Sequence, residues 1–144
     1  MQTDLETVRR IAAADHHLAV VATTRADGSV QSSVVNAGVL PHPVNGDPVV
    51  AFVTYGRVKM ENLRARPVVA VTFRAGWEWA TVEGDAELVG PDDGTLDPER
   101  LRLLLRDVFT AAGGQHDDWD AYDATMAAER RTAVLVAPRR VYSN

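Results

Sequence analysis

From Trp77 to Val89 the chain alternates with a period of two, with Ala80, Val82, Gly84, Ala86 and Leu88 interleaved between Trp79, Thr81, Glu83, Asp85 and Glu87. A strand with one buried and one polar face satisfies this pattern, whereas a helix would scatter the same residues around its axis. So long a strand needs neighbours, and five further segments supply them: Leu18 to Thr24, Val30 to Leu40, Val49 to Tyr55, Val68 to Phe73 and Thr132 to Tyr142. Asp27-Gly28 is a hairpin signal that makes the first two antiparallel neighbours, and Pro41, Pro43, Asn45-Gly46 and Pro48 form a loop or wide hairpin before the third.

Four short helices punctuate these strands. Thr3 with Glu6 suggests a capping box for a helix over 4–15, closed by His16 and His17. Val58 to Arg66 reads as a helix with Met60, Leu63 and Val58 on one side, stopped by Pro67. Asp97 caps a helix that opens on Pro98 and ends at Gly113-Gly114, and a last helix over 118–130 gathers Trp119, Tyr122 and Met126 on one face. Six strands in hairpins and meanders with flanking helices predict a mainly β (α+β) fold, an antiparallel barrel that is closed or partly closed.

At 144 residues, 46% of them hydrophobic, one core suffices, and no repeat or linker divides the single domain expected over 1–144. The absence of cysteine removes disulfides, thiolate metal sites and cysteine nucleophiles and fits a reducing compartment. A net charge of −5 argues against a general nucleic-acid binder. The apolar runs are too short to span a bilayer, and the acidic start predicts a cytoplasmic chain.

Positive charge is nevertheless concentrated, since Arg57, Lys59, Arg64, Arg66 and Arg74 face only Glu61 between residues 56 and 74. Arg57 and Lys59 fall at the start of a helix, where free N–H groups and the helix dipole favour phosphate or carboxylate; a solvated basic face is the competing reading. Gln31-Ser-Ser-Val-Val-Asn36 is unusually polar for a strand and offers hydrogen bonds suited to a heterocycle's amide edge, with plain strand surface as the alternative. Trp77 and Trp79, read as one face of a strand, suit a flat ring, a subunit interface or core packing. The four histidines lack metal-ligand spacing, so no metal site is expected, and no Rossmann, P-loop or nucleophile-elbow motif occurs.

Arg57-Val-Lys59 with Asn62-Leu-Arg64 and Arg66-Pro67, and His116-Asp-Asp-Trp119-Asp-Ala-Tyr122, resemble motifs of the pyridoxamine-phosphate-oxidase-like split barrels. Within them they resemble the small deazaflavin oxidoreductases that use coenzyme F420. Leu18 to Thr24 with Asp27-Gly28, and Gly76-Trp77 with Val82-Glu-Gly84, extend the resemblance nearly end to end. It implies a homodimeric six-stranded split β-barrel with two coenzyme sites at the dimer interface. By position, Arg57 and Lys59 match residues holding the coenzyme phosphate. Gln31, Ser33 and Val34 match the strand along the deazaflavin, Thr54 and Val58 match contacts near the phosphate, and Trp77 and Trp79 match an aromatic strand at the groove. Arg64 or Arg66 is expected to meet the glutamate tail.

The implied reaction is hydride transfer from C5 of the reduced deazaflavin to a small electron-poor acceptor, with no catalytic side chain assigned. Three alternatives remain open at this point: FMN in place of F420, a coenzyme carrier without turnover, and a dimeric interaction module with an empty groove.

Overall fold

The computed structural model describes residues 3–144. Helix α1 (Leu5–Ala14) buries Val8, Ile11 and Ala12. The expected capping box does not form: the Thr3 amide donates to the Val141 carbonyl (3.0 Å), tying Thr3 to the last strand. The cap therefore passes to Asp4, whose carboxylate accepts from the Thr7 amide at 3.0 Å.

Seven strands form one antiparallel sheet, one more than expected: β1 (Leu18–Thr24), β2 (Val30–Asn36), β3 (Gly38–Pro41), β4 (Pro48–Thr54), β5 (Val68–Ala75), β6 (Glu78–Val89) and β7 (Thr132–Ser143). The extra strand arises because the stretch read as one strand, Val30 to Leu40, breaks at Ala37. The Ala37 amide leaves the ladder and donates to the His17 carbonyl (2.9 Å). Gly38 then passes so close to the helix that ends at Ala111 that an added Cβ would lie 2.1 Å from the Ala111 carbonyl oxygen.

The strand order is β2-β1-β5-β6-β7-β4-β3. Its two edges, β2 and β3, are joined by Ala37 alone. A flat sheet cannot satisfy that connection, so the sheet rolls until its edges meet without pairing, which is a split barrel. Gly84 lies at the register shift of β6 on β7, where a Cβ would approach the Ala137 carbonyl oxygen to 2.0 Å.

Inside the barrel, Val21, Phe52, Val71, Phe73, Val82 and Val134 pack under α1. The opposite faces of β4 and β7 are buried too, by Leu101, Leu104, Leu105 and Val108 of α3 (Pro98–Ala111) and Tyr122 of α4 (Trp119–Ala128). Double burial explains why Val49 to Val53 and Ala133 to Val136 are unbroken apolar runs while β6 alternates. The cap of α3 follows the expectation, with Asp97 accepting from the Arg100 amide (2.8 Å), and α4 is capped by Asp118, which accepts from the Ala121 amide (3.1 Å).

The tryptophan pair does not share a strand face. Gly76, at φ +64, turns the chain so that β6 starts only at Glu78. Trp77 stands in that turn at 94% exposure, and Trp79 packs edge-on against Tyr142 with centroids 6.1 Å apart.

Because nothing smaller than glycine exists to relieve the contact with α3, Gly38→Ala is expected to lower stability by about 1–3 kcal/mol or more. A urea midpoint equal to that of the wild type would contradict this account of the joint.

Candidate anion-binding cavity

Helix α2 (Arg57–Ala65) follows β4 after two residues. Its N-cap is Gly56, which brings no side chain, and the Thr54 hydroxyl accepts from the Gly56 amide (3.0 Å) instead of capping the helix. The first intrahelical bond is Met60 N–H to the Gly56 carbonyl, so the amides of Arg57, Val58 and Lys59 point out of the helix end without a side-chain cap. Together with the dipole, they make a concentrated positive end.

The face that α2 buries differs from the expected one. Lys59, Asn62 and Leu63 are buried, whereas Val58 is 53% exposed. A polar network explains the rotation: the Thr23 hydroxyl donates to Gln31 Oε1 (2.9 Å), Asn62 Nδ2 donates to Thr23 Oγ1 (3.1 Å), and Arg66 donates to Asn62 Oδ1 (3.3 Å) and to the Thr24 carbonyl (2.8 Å). Turning Val58 inward would strand these buried groups, at about 1–3 kcal/mol each. Arg64 forks onto Asp93 (2.5 and 3.3 Å), whose other bond, from the Gly90 amide, shapes the turn after β6. Arg64 and Arg66, read from sequence as surplus cations, are thus engaged within the chain.

Of the two cations predicted to grip an anion, Arg57 lies outside, with its side chain 89% exposed and paired with Glu61 (3.1 Å). Lys59 lies inside at 8% exposure, its ammonium 5.6 Å from the Phe52 ring centroid. It has no ion pair among the described residues, and burial holds its pKa below the usual lysine value.

Lys59 opens into a cavity of about 780 Å³ between α2, β2 and the C-terminal end of α3, within the range of small-molecule sites. Its cations are Lys59 and Arg131, and no Asp or Glu lines it, although the chain is acidic overall. Of the residues predicted from sequence, the cavity brings together Val34, Thr54 and Lys59; Gln31, Ser33, Arg57, Val58, Trp77 and Trp79 are not part of its lining. Ser33 nonetheless carries a buried hydroxyl oxygen without a hydrogen-bond partner among the described residues, one residue from the lining.

Residues not assigned to a site from sequence complete the walls. Phe109 and Tyr122 (centroids 5.0 Å apart) form an aromatic side backed by Trp119 and His116. This is the packing role of the His116, Trp119, Tyr122 spacing. The Tyr122 hydroxyl donates to the Leu105 carbonyl (2.9 Å), and burial pushes its pKa up to about 12, so it is spoken for as a structural donor. At the mouth, the Arg131 guanidinium lies 3.7 Å from the Tyr55 ring centroid. His16 and His17 close the other side, and their signal in the sequence was only that they ended α1.

Burying Lys59 without a counter-ion costs stability in the ligand-free protein. Its folded pKa lies below its unfolded one, so the unfolded state binds the proton more tightly and stability rises with pH between the two values. Lys59→Met is expected to raise ligand-free stability at pH 7 by on the order of 1 kcal/mol and to flatten that alkaline rise, as seen in urea melts at pH 7 to 10.5.

Comparison with known proteins agrees with the fold. A family model described as pyridoxamine 5'-phosphate oxidase matches residues 6–144. A conserved hypothetical protein from Mycobacterium tuberculosis is 21% identical, with a TM-score of 0.69 over 99% of this chain and 84% of that one. A structure described as an F420 reductase is 23% identical, with a TM-score of 0.59 over 87% and 88%. A pyridoxamine 5'-phosphate oxidase-related, FMN-binding protein from Nostoc punctiforme is 13% identical, with a TM-score of 0.61 over 99% and 86%. The last two share the barrel and differ in what their names say they bind. With its match running from the first helix to the last residue, the chain belongs to the pyridoxamine 5'-phosphate oxidase family.

Proposed function

We propose that the protein is an oxidoreductase that binds the deazaflavin coenzyme F420 and reduces a small electron-poor organic acceptor. The observation that carries the reading is Lys59, a nearly buried ammonium at the uncapped N-terminus of α2, with no carboxylate partner and no acid in its cavity among the described residues. Such a charge is costly unless a ligand anion meets it, and a phosphate accepts from the ammonium and the helix amides together. The motifs around Arg57 to Pro67 and His116 to Tyr122 support the choice of deazaflavin.

The site's residues fit the group. Lys59 and the amides of Arg57, Val58 and Lys59 hold the phosphate, Thr54 keeps the helix start in place, and the Ser33 hydroxyl has hydrogen-bonding capacity to spare. Val53, Val108, Phe109 and Met126 keep water from the ring. When bound, the reduced deazaflavin supplies a hydride. Gln31 acts one step back, holding Thr23 and through it Asn62 and α2.

The side chains of Arg57, Val58, Trp77 and Trp79 are exposed or partly exposed, and in this reading they reach a site only across a subunit boundary. The outer face of β1, β2 and β5 suits that arrangement: Val20 lies opposite Val34 in the ladder, and both are exposed beside Leu18, Val30 and Val68. A second copy of the chain covering this face makes the homodimer, in the cytoplasm.

FMN is the second reading, favoured by one observation. Arg64 and Arg66, the cations expected to receive a glutamate tail, are bonded to Asp93, Asn62 and Thr24. FMN has the phosphate and lacks the tail.

Fluorescence titration of the cofactor-free protein with F420 and FMN decides between them. F420 is expected to bind more tightly, and Lys59→Ala to weaken it by about 1–3 kcal/mol, the worth of a charged hydrogen bond. Preference for FMN moves the protein to the second reading, and binding of neither overturns both. Val20→Lys is expected to shift the sedimentation coefficient from dimer to monomer.

A further inference from the structure

His16 and His17 adopt left-handed backbone conformations in succession (φ 58 and 57), a cost of about 1–3 kcal/mol at each non-glycine residue. The surrounding bonds enforce it. The His16 carbonyl accepts from Asn36 Nδ2 (2.8 Å), the His17 carbonyl from the Ala37 amide (2.9 Å), and the His17 amide donates to the Ala12 carbonyl (2.8 Å). The His17 ring lies over Gly113, where an added Cβ would come within 2.5 Å of Nδ1. A glycine at φ +85 is what leaves room for that ring.

The imidazole so clamped lines the same cavity as Lys59, and neither ring nitrogen has a hydrogen-bond partner among the described residues. Its place is also informative. Asn62 fixes α2 against Thr23 near the C-terminal end of β1, whereas His17 directly precedes the N-terminal end. Roughly 20 Å of strand separates Thr23 from His17 at about 3.3 Å per residue.

We infer that His17 is a ligand-binding residue, whose imidazole hydrogen-bonds the polar edge of a planar heterocycle at the end of the ligand remote from the anion held by Lys59. This rests on the proposed cofactor reading and adds to it which residue meets the ring. Burial lowers the His17 pKa, so at neutral pH the ring carries one N–H donor and one acceptor nitrogen, matched to an edge that alternates the two. His16 is exposed, and its contribution is the backbone bond to Asn36.

The test uses nitrogen-resolved NMR of the intact protein, following the histidine ring nitrogens and the backbone amides of Arg57 to Lys59. Inorganic phosphate is expected to move the α2 amides and leave His17 unchanged, whereas F420 or FMN moves both. His17→Asn, a residue that tolerates the left-handed backbone, is expected to keep phosphate affinity within twofold and to weaken the ring-bearing ligand about tenfold. Should F420 and FMN shift the α2 amides while the wild-type His17 signals stay in place, or bind His17→Asn as tightly as the wild type, the inference is overturned and the cofactor reading stands. If no ligand shifts the α2 amides, the cofactor reading fails first and the inference falls with it.

Discussion

The connection between the two edges of the sheet sets the geometry of everything else. β2 and β3 are last in line on opposite sides of a seven-stranded sheet, yet Ala37 is the only residue between them. The sheet must therefore roll, and where its edges approach without pairing, a space opens that side chains of β2, β4 and α3 line. The bond from Ala37 to His17 and the contact of Gly38 with Ala111 hold this joint from two sides. The cavity is a consequence of the closure and not a separate construction.

Helix α2 has the complementary task of carrying charge into that space. A lysine would ordinarily snorkel to water, and Val58 would take the buried position. The Thr23, Asn62 and Arg66 bonds fix the helix rotation the other way, because unmaking them would leave several buried polar groups unsatisfied. Lys59 is thus held inside by interactions it does not itself make. A buried ammonium held in this way lowers the stability of the ligand-free chain, the cost on which the proposed function rests.

Most strands and the cap of α3 were legible because their signals are local. Period-two alternation in β6 and Asp97 with Pro98 need only nearby residues. The cation cluster was legible as composition, but its members were not separable. Arg57 and Lys59 sit two residues apart on one helix, and which of them faces inward depends on a network whose other end, Gln31, belongs to a strand far away in the chain. Trp77 and Trp79 misled for a different reason, since the turn at Gly76 holds Trp77 out of the strand and β6 begins one residue later than the pattern read from Trp77.

By itself the sequence determined the fold class, the family motifs and the clustering of cations around the start of α2, all of which depend on spacing along the backbone. The tertiary structure decided that Val30 to Leu40 becomes two strands on opposite edges, that Lys59 and not Arg57 enters the cavity, that Arg64 and Arg66 are engaged, and that His17 faces the same space. These outcomes rest on contacts between residues far apart in the chain, where close approach of backbones and the satisfaction of buried polar groups outweigh local preference.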